Sequence, residues 1–106
     1  FELILIDDRS SDKTPQIIKK LEAENEKIKV LLRGENDFPG KSAVLNDAMK
    51  IAKGEAILVF DADAKIKPDF IKKLIVKLEP KDVGAVQARK NIINAKQNFL
   101  TACQYN

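Results

Sequence analysis

The sequence predicts an α/β layer fold with a mainly parallel sheet. Short continuous apolar runs alternate with segments of helical period. Two of those runs, "ELILIDD" and "AILVFDAD", end directly in acidic residues. Gly34, Pro39, Gly40 and Gly54 punctuate the breaks between segments. In such sheets ligands bind beyond the carboxyl ends of the strands, where the chain leaves for a helix. Asp7 and Asp8 on one run, and Asp61 and Asp63 on the other, occupy that position.

Each element follows from its residues. Leu3 to Ile6 reads as a strand buried on both faces. A Ser- and Asp-rich turn follows, and Thr14-Pro15 opens a helix with a capping hydroxyl and a Pro at its first position. Ile17, Ile18 and Leu21 form its inward stripe, and Asn25 stops it. Ile28 to Leu32 is a second strand, followed by the loop "RGENDFPG". Val44, Leu45, Ala48, Met49 and Ala52 give the next helix an apolar face that Gly54 ends. Ala56 to Phe60 is a third strand. Pro68 starts a helix with Phe70, Ile71, Leu74, Ile75 and Leu78 inward. Val83 to Val86 is a fourth strand, and the tail from about Ala95 is helical.

Composition narrows the chemistry. The 106 residues, 44% hydrophobic and 33% charged, suit one globular domain, 1–106, of cytoplasmic style. The chain contains no His and a single Cys. That removes His-dependent nucleophile chemistry and Cys-cluster metal sites, and Cys103 reads as a buried inert thiol. Any chemistry must use carboxylates and lysines, with or without a hard cation. The net charge of +3 invites a nucleic-acid partner. However, the lysines are spread at helical spacings without interleaved aromatics, so no nucleic-acid surface is expected. The basic bias suits an anionic small molecule such as a nucleotide. No apolar run is long enough to cross a bilayer. The chain begins at Phe1 inside a strand-like run and reads as part of something longer, whose other segments include membrane spans in one reading.

Alternation along "LILIDD" sends Leu3, Leu5 and Asp7 to one face and Ile4, Ile6 and Asp8 to the other. In "DAD", small Ala62 lets the turn bring Asp63 back toward Asp61. Two carboxylates about 6 Å apart repel by roughly 3 kcal/mol at an effective dielectric near 20, a penalty that a divalent cation reverses. Mg²⁺ or Mn²⁺ held by one or two carboxylates and substrate phosphates is the usual arrangement of hard ligands. A lone D-x-D also serves as a solvated turn or cap, and "SSDKT" makes a good turn without any ligand.

The blocks "FELILIDDRSSDKTPQII" and "GKSAVLNDAMKIAKGEAILVFDADAKIKPDFI" resemble the nucleotide-sugar-binding half of a family 2 glycosyltransferase of GT-A fold. The tail "VGAVQARKNIINAKQNFLTACQYN" is similar to processive synthases of cellulose, chitin or poly-N-acetylglucosamine. The resemblance implies a Rossmann-like GT-A subdomain, truncated, lacking its first strand and its acceptor half. It implies sugar transfer with inversion from a nucleotide-diphosphate sugar, typically of uridine, to a glycan or other hydroxyl acceptor at the cytoplasmic face of a membrane.

Roles carry over by position. Asp8 would accept a hydrogen bond from the base, and Asp7 would support the turn or the ribose side. Asp63 would bind the metal, and Asp61 would hold ribose or metal-bound water. Lys41 would meet the phosphates or the nucleotide pocket, or else be a solvated lysine. Asn46 reads as structural. The catalytic base lies in a later motif outside this chain. The missing strand would sit between those beginning at Leu3 and Ala56, so unpaired edges there would drive self-association. The other class of reading is a phosphoacceptor receiver domain, with "LILIDD" as its acidic pair, Asp61 as the phosphorylated residue and Lys90 as its lysine; "ADAKIKPDF" departs from that pattern.

Overall fold

The computed structural model describes residues 1–89. Its elements in order are β1 (Leu3–Asp7), α1 (Thr14–Glu24), β2 (Ile28–Leu32), α2 (Lys41–Ile51) and α3 (Phe70–Val76). The chain divides into two units, Phe1–Val59 and Phe60–Asn106.

In the first unit β1 and β2 pair in parallel, with Leu3 opposite Ile28 and Asp7 opposite Leu32. Helix α1 makes the crossover and packs on both strands, while α2 packs on β1. This small parallel sheet with its helices is the α/β, GT-A-like subdomain that the sequence predicts. Glu2 fastens the lower end. Its Oε2 accepts from Lys29 Nζ at 2.6 Å, and its Oε1 accepts the Lys53 N–H at 2.6 Å.

The ladder fixes which backbone groups look outward. Leu3 N–H donates to Lys27 O at 2.8 Å and Arg33 N–H donates to Asp7 O at 3.0 Å. Residues 3, 5 and 7 of β1 therefore face β2, and Val30 of β2 faces away from β1. That outward Val30 N–H donates to Glu22 Oε1 of α1 at 2.7 Å. A helical carboxylate thus closes the outer edge of β2. Glu22→Ala is expected to weaken the subdomain by ~1 kcal/mol, the usual worth of such a bond. The same change should speed amide hydrogen exchange at Val30 while exchange at Leu5 changes less.

Several element boundaries differ from the sequence reading. Lys13, not Thr14, stands at the cap position of α1, which puts Pro15 at the second helical residue. The local capping bond instead runs from Thr14 N–H to Asp12 Oδ1 at 2.9 Å. Helix α2 stops at Ile51, before Gly54, because Ala52 is extended and Lys53 N–H is drawn to Glu2. Pro68 lies in the turn ahead of α3, whose cap position is Asp69.

Two expected strands do not form. Residues 56–60 and 83–86 carry no ladder among the described residues. A strand exists only with a partner, and among the described residues β1 pairs with β2 alone. Val83 N–H closes a turn onto Pro80 O at 3.0 Å. The helical tail and Cys103 lie outside the described residues.

Burial is also lighter than expected. No hydrophobic side chain among the described residues is fully buried. Leu3 is 44% exposed, so β1 is not covered on both faces, and Ile17 and Leu21 of the α1 stripe are 57% and 41% exposed. On α2 Met49 is exposed, and on α3 Ile71 and Ile75 are. In the first unit, a two-stranded sheet with α1 and α2 offers too few layers to cover its stripes. In the second unit Phe60 and Phe70 meet edge to face, with ring centroids 6.0 Å apart.

Candidate functional site

The most buried residues of the described chain are polar: Asp7 and Arg33, each 5% exposed. They close the carboxyl ends of β1 and β2. Asp7 Oδ2 accepts the Ser10 N–H at 3.0 Å, which turns the chain sharply after the strand. Its Oδ1 is buried and has no partner among the described residues. Arg9, within that turn, takes a left-handed φ of 69°. For a residue with a Cβ this conformation costs about 1–2 kcal/mol. Backbone strain beside a strand-end carboxylate is typical of sites where a ligand is bound.

Arg33 follows β2 directly, and its guanidinium is engaged on every side. Nη1 donates to Asp8 Oδ1 at 2.8 Å, Nε to Asp47 Oδ2 of α2 at 3.1 Å, and Nη2 to Phe38 O at 2.6 Å. Its side chain is 2% exposed, against 31% for Asp8 and 28% for Asp47. One buried cation therefore ties together the end of β1, the loop 34–40 and α2. Asp8 Oδ1 also receives Arg9 Nε at 3.2 Å, so both described bonds to Asp8 end on the same oxygen.

The loop has its own scaffold. Gly34 N–H donates to Asp37 Oδ2 at 2.6 Å, and Asp37 N–H returns to Gly34 O at 3.2 Å. Gly40, with φ 101° and ψ 157°, sits in a region open in practice only to glycine. It lets α2 begin at once with Lys41. Between this loop and α2 lies a cavity of about 340 Å³, with Arg33, Asp37, Asp47 and Lys50 on its walls.

Asp47 is held well below the ordinary carboxylate value of 3.8, first by the Lys50 ammonium at 2.7 Å and then by Arg33. Glu2 is lowered from 4.5, first by Lys29 and then by the Lys53 N–H. Asp12 is lowered by its bonds to Thr14. For carboxylates depressed on folding, the stabilisation is complete above the ordinary values and disappears as pH falls through the native ones. Thermal melts are therefore expected to be flat from pH 7 to about 5 and to fall below about 4. Asp47→Asn should remove part of that fall. An acid limb identical in the variant would exclude this linkage.

In the second unit Asp61 and Asp63 share one four-residue turn, closed by Ala64 N–H to Asp61 O at 2.9 Å. Asp63 is exposed and Asp61 half-buried. Among the described residues no three His, Cys, Asp or Glu side chains gather to hold a metal ion. The structure thus groups Asp7, Asp8 and Arg33 in one unit, with Lys41 at the start of α2, and Asp61 with Asp63 in the other.

Sequence reasoning missed Arg33 and Asp47. Arg33 stood inside a stretch read only as loop. Its signal was position: a charged residue directly after an apolar strand, beside an acidic pair ending the neighbouring parallel strand. Asp47 carried no signal of its own, being one polar residue on a helix.

Comparison with known proteins adds the family. The family model "Glycosyl transferase family 2" matches residues 1–103. A beta-monoglucosyldiacylglycerol synthase of Trichormus variabilis is 46% identical over 98% of the chain and 22% of its own length. The Synechocystis protein of that name is 36% identical over 97% of the chain and 22% of its length. A poly(ribitol-phosphate) beta-glucosyltransferase of Bacillus spizizenii is 41% identical over 59% of the chain and 10% of its length. No solved structure gives a significant match. The chain spans about a fifth of the length of the synthases it matches.

Proposed function

The chain belongs to glycosyl transferase family 2, and from that premise we propose that its full-length protein transfers glucose from a nucleotide-diphosphate donor to the hydroxyl of diacylglycerol. Family 2 enzymes transfer sugar from such donors to acceptors, and a match over residues 1–103 sets the receiver-domain reading aside. The observation that carries the sugar is a shared word. The two kinds of relative differ in acceptor, a lipid and a polyol phosphate polymer, yet both names say glucosyl. What the relatives share with this chain therefore tracks the donor. Diacylglycerol is supported by the synthases of Trichormus and Synechocystis, which both match nearly the whole chain. The beta linkage in all three names supports inversion, since nucleotide-diphosphate glucose is an α-glycoside.

In this reading Asp8 accepts from the base, uracil in the simplest case, and Asp7 supports the ribose side. Lys41 meets the diphosphate, where the cation and the positive N-terminal end of α2 suit negative charge. Asp61 and Asp63 fit a Mg²⁺ or Mn²⁺ ion shared with the donor's phosphates, since both give hard oxygen ligands from one turn. Such a cation neutralises charge on the departing diphosphate. No helix of the described residues is long and apolar enough to cross a membrane, and the lipid acceptor is what supports work at a membrane's cytoplasmic face. Processive polymer synthesis is the weaker reading, because it rests on the tail beyond the described residues.

The test is direct. Full-length protein given UDP-glucose and diacylglycerol vesicles with Mn²⁺ or Mg²⁺ should yield monoglucosyldiacylglycerol. UDP-galactose or UDP-N-acetylglucosamine should give little product. Product from another sugar alone, or glucose added to a polymer and never to lipid, would overturn it.

A further inference from the structure

We infer that Asp47 is a positioning residue that sets donor affinity through Arg33 and Asp8 without touching the donor, an inference that rests on the assignment of Asp8 to the base. The geometry is specific. A guanidinium is planar, so anchoring two of its nitrogens fixes the direction of the third. Asp47 Oδ2 takes Nε at 3.1 Å and Phe38 O takes Nη2 at 2.6 Å, which aims Nη1 at Asp8 Oδ1, 2.8 Å away. That bond and the one from Arg9 both end on Oδ1, so Oδ2 is the oxygen that receives a ligand's N–H.

Without Asp47, the Arg33 side chain pivots on its bond to Phe38 O, and Asp8 is left to Arg9. Arg9 is a poor substitute. Its side chain is 33% exposed, whereas that of Arg33 is 2% exposed. A carboxylate held only by a neighbouring exposed arginine loses its fixed rotamer, and the donor's base then meets a mobile acceptor. Outer partners that orient a ligand-binding group commonly control affinity by tenfold or more. Lys50, bonded to the other oxygen of Asp47 and 74% exposed, is an ancillary charge and not part of this relay.

UDP binding to the full-length protein by calorimetry, with steady-state kinetics beside it, tests the relay. Asp47→Ala is expected to weaken UDP ~10-fold and to raise the donor KM equally, with kcat within about twofold. Asp47→Asn keeps an acceptor for Nε and should cost about threefold. Lys50→Met should leave affinity unchanged. In combination with Asp8→Asn, the alanine variant should add nothing, because the relay is already cut. If Asp47→Ala misfolds, Asp47→Asn and the double variant built on it carry the same test. Unchanged UDP affinity in the Asp47 variants, with binding weakened in Asp8→Asn, overturns the relay and spares the donor site. Unchanged affinity in Asp8→Asn overturns the assignment of Asp8, and the relay with it. A loss of kcat in proportion to folded fraction, at constant affinity, marks Asp47 as merely structural.

Discussion

Replacing Arg33 by methionine is expected to destabilise the full-length protein by about 2–3 kcal/mol, toward the low end of what removing one partner of a buried ion pair costs. The discount has a structural cause. Arg33 is buried, but Asp8 and Asp47 are 31% and 28% exposed, so water recovers part of their lost solvation. The loop 34–40 loses its tie at Phe38 O in the same step. Arg33→Lys should recover less than half of the loss, because one ammonium cannot meet acceptors on three sides. Urea unfolding measures both. A shift of under about 0.5 kcal/mol for methionine, the size of an ordinary surface change, would show that the cluster is not a keystone.

The second large effect falls on the Asp61–Ala64 turn. On the proposed metal role, Asp63→Asn is expected to lower sugar transfer ~100-fold and to move the Mn²⁺ dependence to higher concentration. Asp69→Asn is the matched control. It too removes an acid from the second unit, but one paired at 2.5 Å to exposed Lys73 on a helix surface, where such pairs are worth about 0.3–0.5 kcal/mol. Transfer above about a third of normal in Asp63→Asn, or equal losses in both variants, would remove the D-A-D from the donor site.

The parts legible in the sequence were those fixed by local physics. The short apolar runs at Leu3 and Ile28 became parallel strands, since such a run bounded by turn residues has few other fates. The helices from Thr14 and Lys41 followed their apolar spacing. The run 56–60 is at least as apolar as β1 yet forms no strand among the described residues. Pairing is a property of two segments, and composition speaks for one only. Arg33 was hidden for a related reason. Its importance comes from Asp8, twenty-five positions earlier, and Asp47, fourteen later, and no short window holds all three. Asp8 was singled out because its neighbour Asp7 doubled the signal.

The Glu22 carboxylate on the Val30 amide has a bearing on assembly. The Val30 amide has already given its hydrogen to Glu22, so a foreign strand laid along the outer side of β2 would have to dislodge that carboxylate before it could register there.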